Sequence, residues 1–163
     1  MDTEGEITVD HAAFIRKILI EALFESPLPK RLIAERETQY VARAIRPIVS
    51  SALKKYPALV CHGEGGLRAH EVSYAGFTFV PDISVSHLQQ RILAIEAKFL
   101  VAGQDSVTEA LGQASIYAFA GYLCSIALVF RSTGPSLHDS FQVGRSDGST
   151  NFVDLLLMRT AFE

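Results

Sequence analysis

The sequence has little cysteine, no long apolar run and no surplus of basic charge. It carries two cysteines, Cys61 and Cys124, too few for a four-thiolate iron–sulfur cluster and more in keeping with reduced, buried thiols than with a disulfide framework. Its longest apolar stretches, such as Leu123 to Phe130, fall far short of the roughly 20 residues a membrane-spanning helix needs. Residues 1–10 hold four acids and no base, which is not the start of a secretory signal. A soluble, cytoplasmic protein is therefore expected, with no membrane partner. A Gly-x-x-x-x-Gly-Lys loop is missing, so ATP binding is not expected. The net charge of −3 argues against a protein that coats nucleic acid, because backbone affinity comes mainly from Lys and Arg.

What is present suits one domain over residues 1–163, with 48% hydrophobic and 20% charged residues. Charge is uneven along it. Residues 1–25 hold six acids and two bases, whereas residues 30–55 hold seven bases and two acids. Arg36 and Arg43, in that basic stretch, are candidates for contacting substrate phosphate, against the plainer reading of a solvated helix face.

Asp10 to Phe24 repeats apolar residues at a helical period, with Asp10 as N-cap, and Pro27 and Pro29 end it. Residues 1–29 thus form an appended N-terminal helix. Leu32 to Lys55 shows a second helical period, kinked at Pro47, with Glu37 on the stripe that faces the core. A carboxylate there must be paired, bonded to a metal or near the edge. Short β-like runs follow at Ala58–His62, Leu67–Tyr74, Phe77–Ser86 and Arg91–Leu100, separated by glycine turns. Thr108 to Tyr122 is helical, capped by Thr108 or Ser106, and Cys124 to Phe130 reads as a strand buried on both faces. Ser132–Ser140 and Gly144–Thr150 read as loops, and Phe152–Phe162 fits either a closing strand or a short helix. The expected class is α/β (α+β), a mixed central sheet of about four to five strands flanked by helices, in the order αβββαβ, plus the N-terminal helix.

Phe79 to Lys98 organises the chain. Read as a hairpin turning near Gln89, it pairs residues whose numbers sum to about 178, so Asp82 faces Glu96. Side chains alternate along a strand, which puts Glu96 and Lys98 on one face. Two carboxylates and an ammonium then converge, an arrangement for holding a divalent cation. The plainer reading is a cross-strand ion pair between Asp82 and Lys98.

Pro81-Asp82, thirteen further residues, then Glu96-Ala97-Lys98 resembles the signature of the PD-(D/E)xK nuclease superfamily, and the order of elements over residues 32–130 is similar to its core. Residues 131–163, loops and a closing element, fall outside it. Gln113-Ala-Ser-Ile-Tyr117 resembles the Gln-x-x-x-Tyr motif of the RecB-like branch, and Glu37 matches an acid many members carry on the first core helix. The resemblance implies a restriction-endonuclease-like fold and hydrolysis of DNA phosphodiester bonds. It implies Asp82, Glu96, Lys98 and Gln113 in catalysis and Tyr117 in positioning substrate.

Mg²⁺, or Mn²⁺ in its place, takes oxygen ligands, so Asp82 and Glu96, with Glu37 and the Ala97 carbonyl, are the candidate ligands. Lys98 would orient or deprotonate the attacking water and stabilise phosphoryl oxygens. DNA is the expected partner, with a homodimer or a larger nuclease or defence complex as further possibilities. The alternative is a catalytically silent or complex-dependent DNA-binding or assembly module on the same fold. Cys61-His62-x-Glu64 and His70-Glu71 lack the spacing of a closed zinc site and read as strand or turn residues, and His87 falls in the predicted hairpin turn.

Overall fold

The computed structural model describes residues 5, 7–63, 70–101, 105–145 and 147–160. Helix α1 spans Val9–Glu25. Its N-cap is Thr8, whose hydroxyl accepts from the His11 amide, two residues before the expected Asp10. It buries Ile15, Leu19 and Leu23 in the same core cluster as Ile83, Ile95 and Leu128 of the sheet, so α1 is a working layer of the fold.

The second helical stretch begins at Glu37, not Leu32. Residues 32–35 instead form a turn in which Ala34 takes φ 61° and the Glu35 carboxylate accepts from the Leu32 amide at 2.9 Å. From Glu37 the chain runs through α2 (Glu37–Tyr40), a π segment (Val41–Ile45) and α3 (Arg46–Ala52). Pro47 explains the wide turn, because its ring lacks an amide hydrogen and crowds the carbonyl one turn earlier. The π segment just before it absorbs the misfit where a kink was expected.

Strands β1 (Leu59–Gly63), β4 (Ile83–His87), β5 (Gln90–Phe99), β6 (Cys124–Arg131), β7 (Leu137–Gly144) and β8 (Thr150–Arg159) form one sheet in the order β1-β4-β5-β6-β8-β7. β5, β6 and β8 are mutually parallel, and the remaining neighbours are antiparallel. The protein is thus α+β with a mixed six-stranded central sheet, one or two strands wider than expected. The run Phe77–Ser86 splits at Pro81-Asp82. Its first part, β3 (Phe77–Phe79), pairs among the described residues with β2 (Val72–Tyr74) in a separate hairpin turning at Ala75-Gly76.

The extra width comes from β7, whose first half, Leu137–Ser140, was expected to be loop, and from β8, where a strand and a short helix were both open. β7 is an edge strand exposed almost throughout, so burial imposes no alternation on Leu137–Gly144 and its polar residues resemble a loop. β8 resolves Phe152–Phe162 as strand over its described part, and its central residues are buried between β6 and β7.

Helix α4 (Ser106–Ala120) covers the face opposite α1 and α3. Its N-cap is Asp105, which accepts from the Thr108 amide, in place of the expected Ser106 or Thr108. Ala110, Ala114 and Ala118 let it lie close on Ala127, Val129 and Val153, while Tyr117 packs with Ala94 and Tyr122. No described helix is long and apolar enough to cross a membrane.

Candidate active site

The hairpin β4–β5 pairs Ile83 with Ile95 and Ser84 with Ala94, numbers that sum to 178 as expected. β4 ends at Ile83 because Pro81 cannot donate to a ladder, so β5 outruns its neighbour. Two amides on β5 would then lack strand partners, and carboxylates take the vacant places. The Ala97 amide donates to Asp82 Oδ2 at 2.7 Å, and the Phe99 amide donates to Glu37 Oε2 at 2.6 Å. This backbone capping draws an acid from the start of β4 and another from the first turn of α2 to one end of β5.

Glu96 and Lys98 project from β5 on the face covered by α4. Lys98 Nζ lies 3.5 Å from Glu96 Oε1, 3.7 Å from Glu37 Oε1 and 3.4 Å from Glu109 Oε1. The Tyr117 hydroxyl donates to Glu96 Oε2 at 3.1 Å. Glu96 is 5% exposed, and burial first, with the charge of Asp82 second, pushes its carboxyl up to about 8. Lys98 and Tyr117 pull the other way and do not cancel this. Burial works against the Lys98 ammonium as well, yet Glu96, Glu37 and Glu109 together raise its pKa. Burial, with Glu96 next, raises that of the Tyr117 phenol, which is therefore a hydrogen-bond donor at neutral pH.

Five residues expected at the site are therefore joined by direct contacts or, for Asp82 and Glu96, by adjacency on the β4–β5 register: Glu37, Asp82, Glu96, Lys98 and Tyr117. Ala97 contributes its amide to Asp82. Gln113 lies one helical turn before Tyr117 on α4, half-buried, and its side chain makes no hydrogen bond to a described residue. Arg43 is turned elsewhere: its guanidinium binds the Glu35 carboxylate at 2.7 and 2.9 Å and the Lys30 carbonyl at 2.8 Å. Arg36 stands at the rim of a cavity of about 520 Å³ between α2 and the ends of β1 and β4, together with Thr38, Arg46, Gly63 and Asp82. At Gly63 a Cβ would come within 3.0 Å of Arg46 Nη1, so glycine leaves the room in which that guanidinium lies.

Glu109 and Arg46 are the additions. Both had a sequence signal, an acid in the first turn of the helix after the Glu-x-Lys strand and a base in the basic stretch, but neither lies on a motif. His87 is not in the turn: it ends β4, is 1% exposed and pairs with Gln90, and Leu88-Gln89 make the turn. His62 and His70 stack on each other, and Glu64 lies outside the described residues.

Compared with protein-family models, with curated proteins and with solved structures, the chain matches none. The chemistry therefore rests on the residues. Among the described residues no three His, Cys, Asp or Glu side chains converge to hold a metal ion. Mg²⁺ needs fewer, since one or two carboxylates with water and substrate phosphate complete its shell. Asp82 beside a buried Glu96 whose charge is disfavoured supplies that donor set, and a cation between them would offset the repulsion and the desolvation together.

Proposed function

We propose that the chain is a Mg²⁺- or Mn²⁺-dependent nuclease that hydrolyses DNA phosphodiester bonds on a restriction-endonuclease-like core. The observation that carries this reading is the meeting of Asp82, Glu96, Lys98 and Glu37, from three separate elements, at the end of β5. Asp82 and Glu96 would hold the cation, with Glu37 and the Ala97 carbonyl beside them. When bound, the ion supplies a water of lowered pKa and offsets charge on the phosphate.

The remaining work falls to the chain's own groups. Lys98 is held by carboxylates on three sides at one place, where its ammonium can orient the attacking water and take up charge on the phosphoryl oxygens. Hydrolysis forms one P–O bond from water and breaks the P–O bond to the sugar oxygen, which leaves with a proton. Tyr117 fixes the rotamer of Glu96 through its hydroxyl. Arg36 and Arg46, on the cavity wall next to Asp82, supply positive charge for neighbouring phosphates.

The test is cleavage of single-stranded, double-stranded and branched DNA with Mg²⁺ or Mn²⁺. Activity lost in Lys98→Ala is the expected result, and equal rates for the two proteins overturn the reading. A second reading, a DNA-binding or assembly module that is silent alone, draws on the lack of a ready three-ligand group among the described residues. Calorimetry separates them: heat of Mn²⁺ binding that disappears in Asp82→Ala supports the nuclease.

A further inference from the structure

The sheet face that carries Glu96 continues away from the site into a second cavity. It encloses about 510 Å³ and is lined by Val60, His62, His70, Leu88, Gln89 and Arg91, with Ser86 at its floor. Register explains the common face: Val60 pairs with Ser86 and His62 with Ser84, while Ser84 pairs with Ala94, two residues before Glu96. A bulge between Val85 and Ser86 brings Arg91 opposite Ser86, where an unbroken register would have placed Ile92. At about 3.3 Å per residue, Ser84 and Ser86 lie roughly 7 and 13 Å along β4 from Asp82. A strand held with one phosphate at the site can therefore lay a neighbouring base in this cavity.

The lining suits a planar, largely apolar ligand with a polar edge. His70 is 7% exposed, with Nδ1 2.9 Å from the Ser84 hydroxyl and Nε2 without a hydrogen-bond partner among the described residues. Burial, then His62 and Arg91, lower its pKa, so the imidazole is neutral. His62 stacks on it with centroids 4.1 Å apart and planes 34° apart. Rings layered in that way do not turn their lone pairs onto one point, which disfavours a shared metal and leaves the outer face of half-buried His62 as a platform. Val60 and Leu88 add apolar walls, and Gln89 adds a donor and an acceptor.

We propose that this cavity takes an unpaired nucleobase of the DNA strand, stacked on His62 and hydrogen-bonded at its edge by His70 Nε2 and Gln89. The inference rests on the nuclease reading for its ligand. Base–aromatic stacking is tolerant of base identity, so the site favours single-stranded or opened DNA without reading its sequence.

The probe is a short single-stranded oligodeoxynucleotide and its fully abasic counterpart, bound in Ca²⁺ and followed by anisotropy, with cleavage in Mg²⁺ measured separately. The base-bearing strand should bind the intact protein about fivefold more tightly or better. His62→Ala should bring it down to the abasic level without altering abasic binding, and His62→Phe should restore the preference. If the protein cuts DNA but binds both strands within about twofold, the base pocket is wrong and the nuclease reading stands. If His62→Ala weakens both strands alike, the residue is structural and the proposal falls. A chain that neither cuts nor binds overturns both.

Discussion

Two charge clusters sit on β8 and β5, with β6 between them, and they differ in balance. Near β7, Asp154 of β8 is fully buried but answered: Arg16 of α1 grips it with two nitrogens, one at 2.8 Å, and His138 Nε2 lies 2.7 Å away. Arg16 also reaches the Ser140 hydroxyl at 2.7 Å and lies 4.2 Å over the Phe152 ring. At the end of β5, by contrast, Glu37, Glu96 and Glu109 surround the ammonium of Lys98, and Asp82 caps the Ala97 amide beside them. A matched buried pair holds a helix on a sheet. Around Lys98 three carboxylates share one ammonium and Glu96 is the buried one, so on the proposed nuclease reading a cation would complete the cluster.

Breaking each cluster should therefore have a different signature. Asp82→Asn keeps an oxygen for the Ala97 amide and loses the charge. DNA cleavage should fall a thousandfold or more, about 4 kcal/mol in barrier, with an unchanged melting temperature; cleavage retained within tenfold would make Asp82 a backbone cap only. Arg16→Met leaves Asp154 buried without its main partner and should cost about 3 kcal/mol in urea unfolding, while cleavage per folded molecule persists.

Glu96→Gln removes a buried carboxylate crowded by Asp82. The protein without added ion should melt a few degrees higher, on the order of 1 kcal/mol, and be inactive; a lower melting temperature would show that the charge is already satisfied. The smallest effect concerns Glu35, whose carboxyl Arg43 holds below its ordinary value. A depressed folded pKa stabilises above the ordinary value near 4.5, and the stability is lost as pH falls through the depressed one. The gap in melting temperature between the protein and Arg43→Gln should be widest at neutral pH and close on acidification.

The candidate site is legible in the sequence where contacts are local. Alternating apolar residues and the turn near Gln89 place the hairpin, whose pairs sum to 177 next to the two-residue turn and reach 178 only beyond the bulge between Val85 and Ser86, and Glu37 stands out because its helical stripe is otherwise apolar. The start of α2 is misread, since Leu32 and Ile33 extend the apolar period although Ala34 adopts a left-handed backbone that ends any helix there. The ion pair of Arg43, a candidate phosphate contact, with Glu35 was not legible, because Glu35 lies eight residues away in the turn that replaces the expected helix. β7 carries no buried face and so leaves no periodic trace.

Strand and helix periods, the hairpin register and the pairing of Asp82 with the Glu-x-Lys segment arise from neighbours in the chain, because alternation and turn geometry act over a few residues. The balance of charge does not. Arg16 meets Asp154 across 138 residues, and Glu37 reaches the Phe99 amide across 62. Burial of these groups depends on how α1, α2 and α4 pack on the sheet, so packing determines which acids are neutralised and which, like Glu96, have their charge disfavoured.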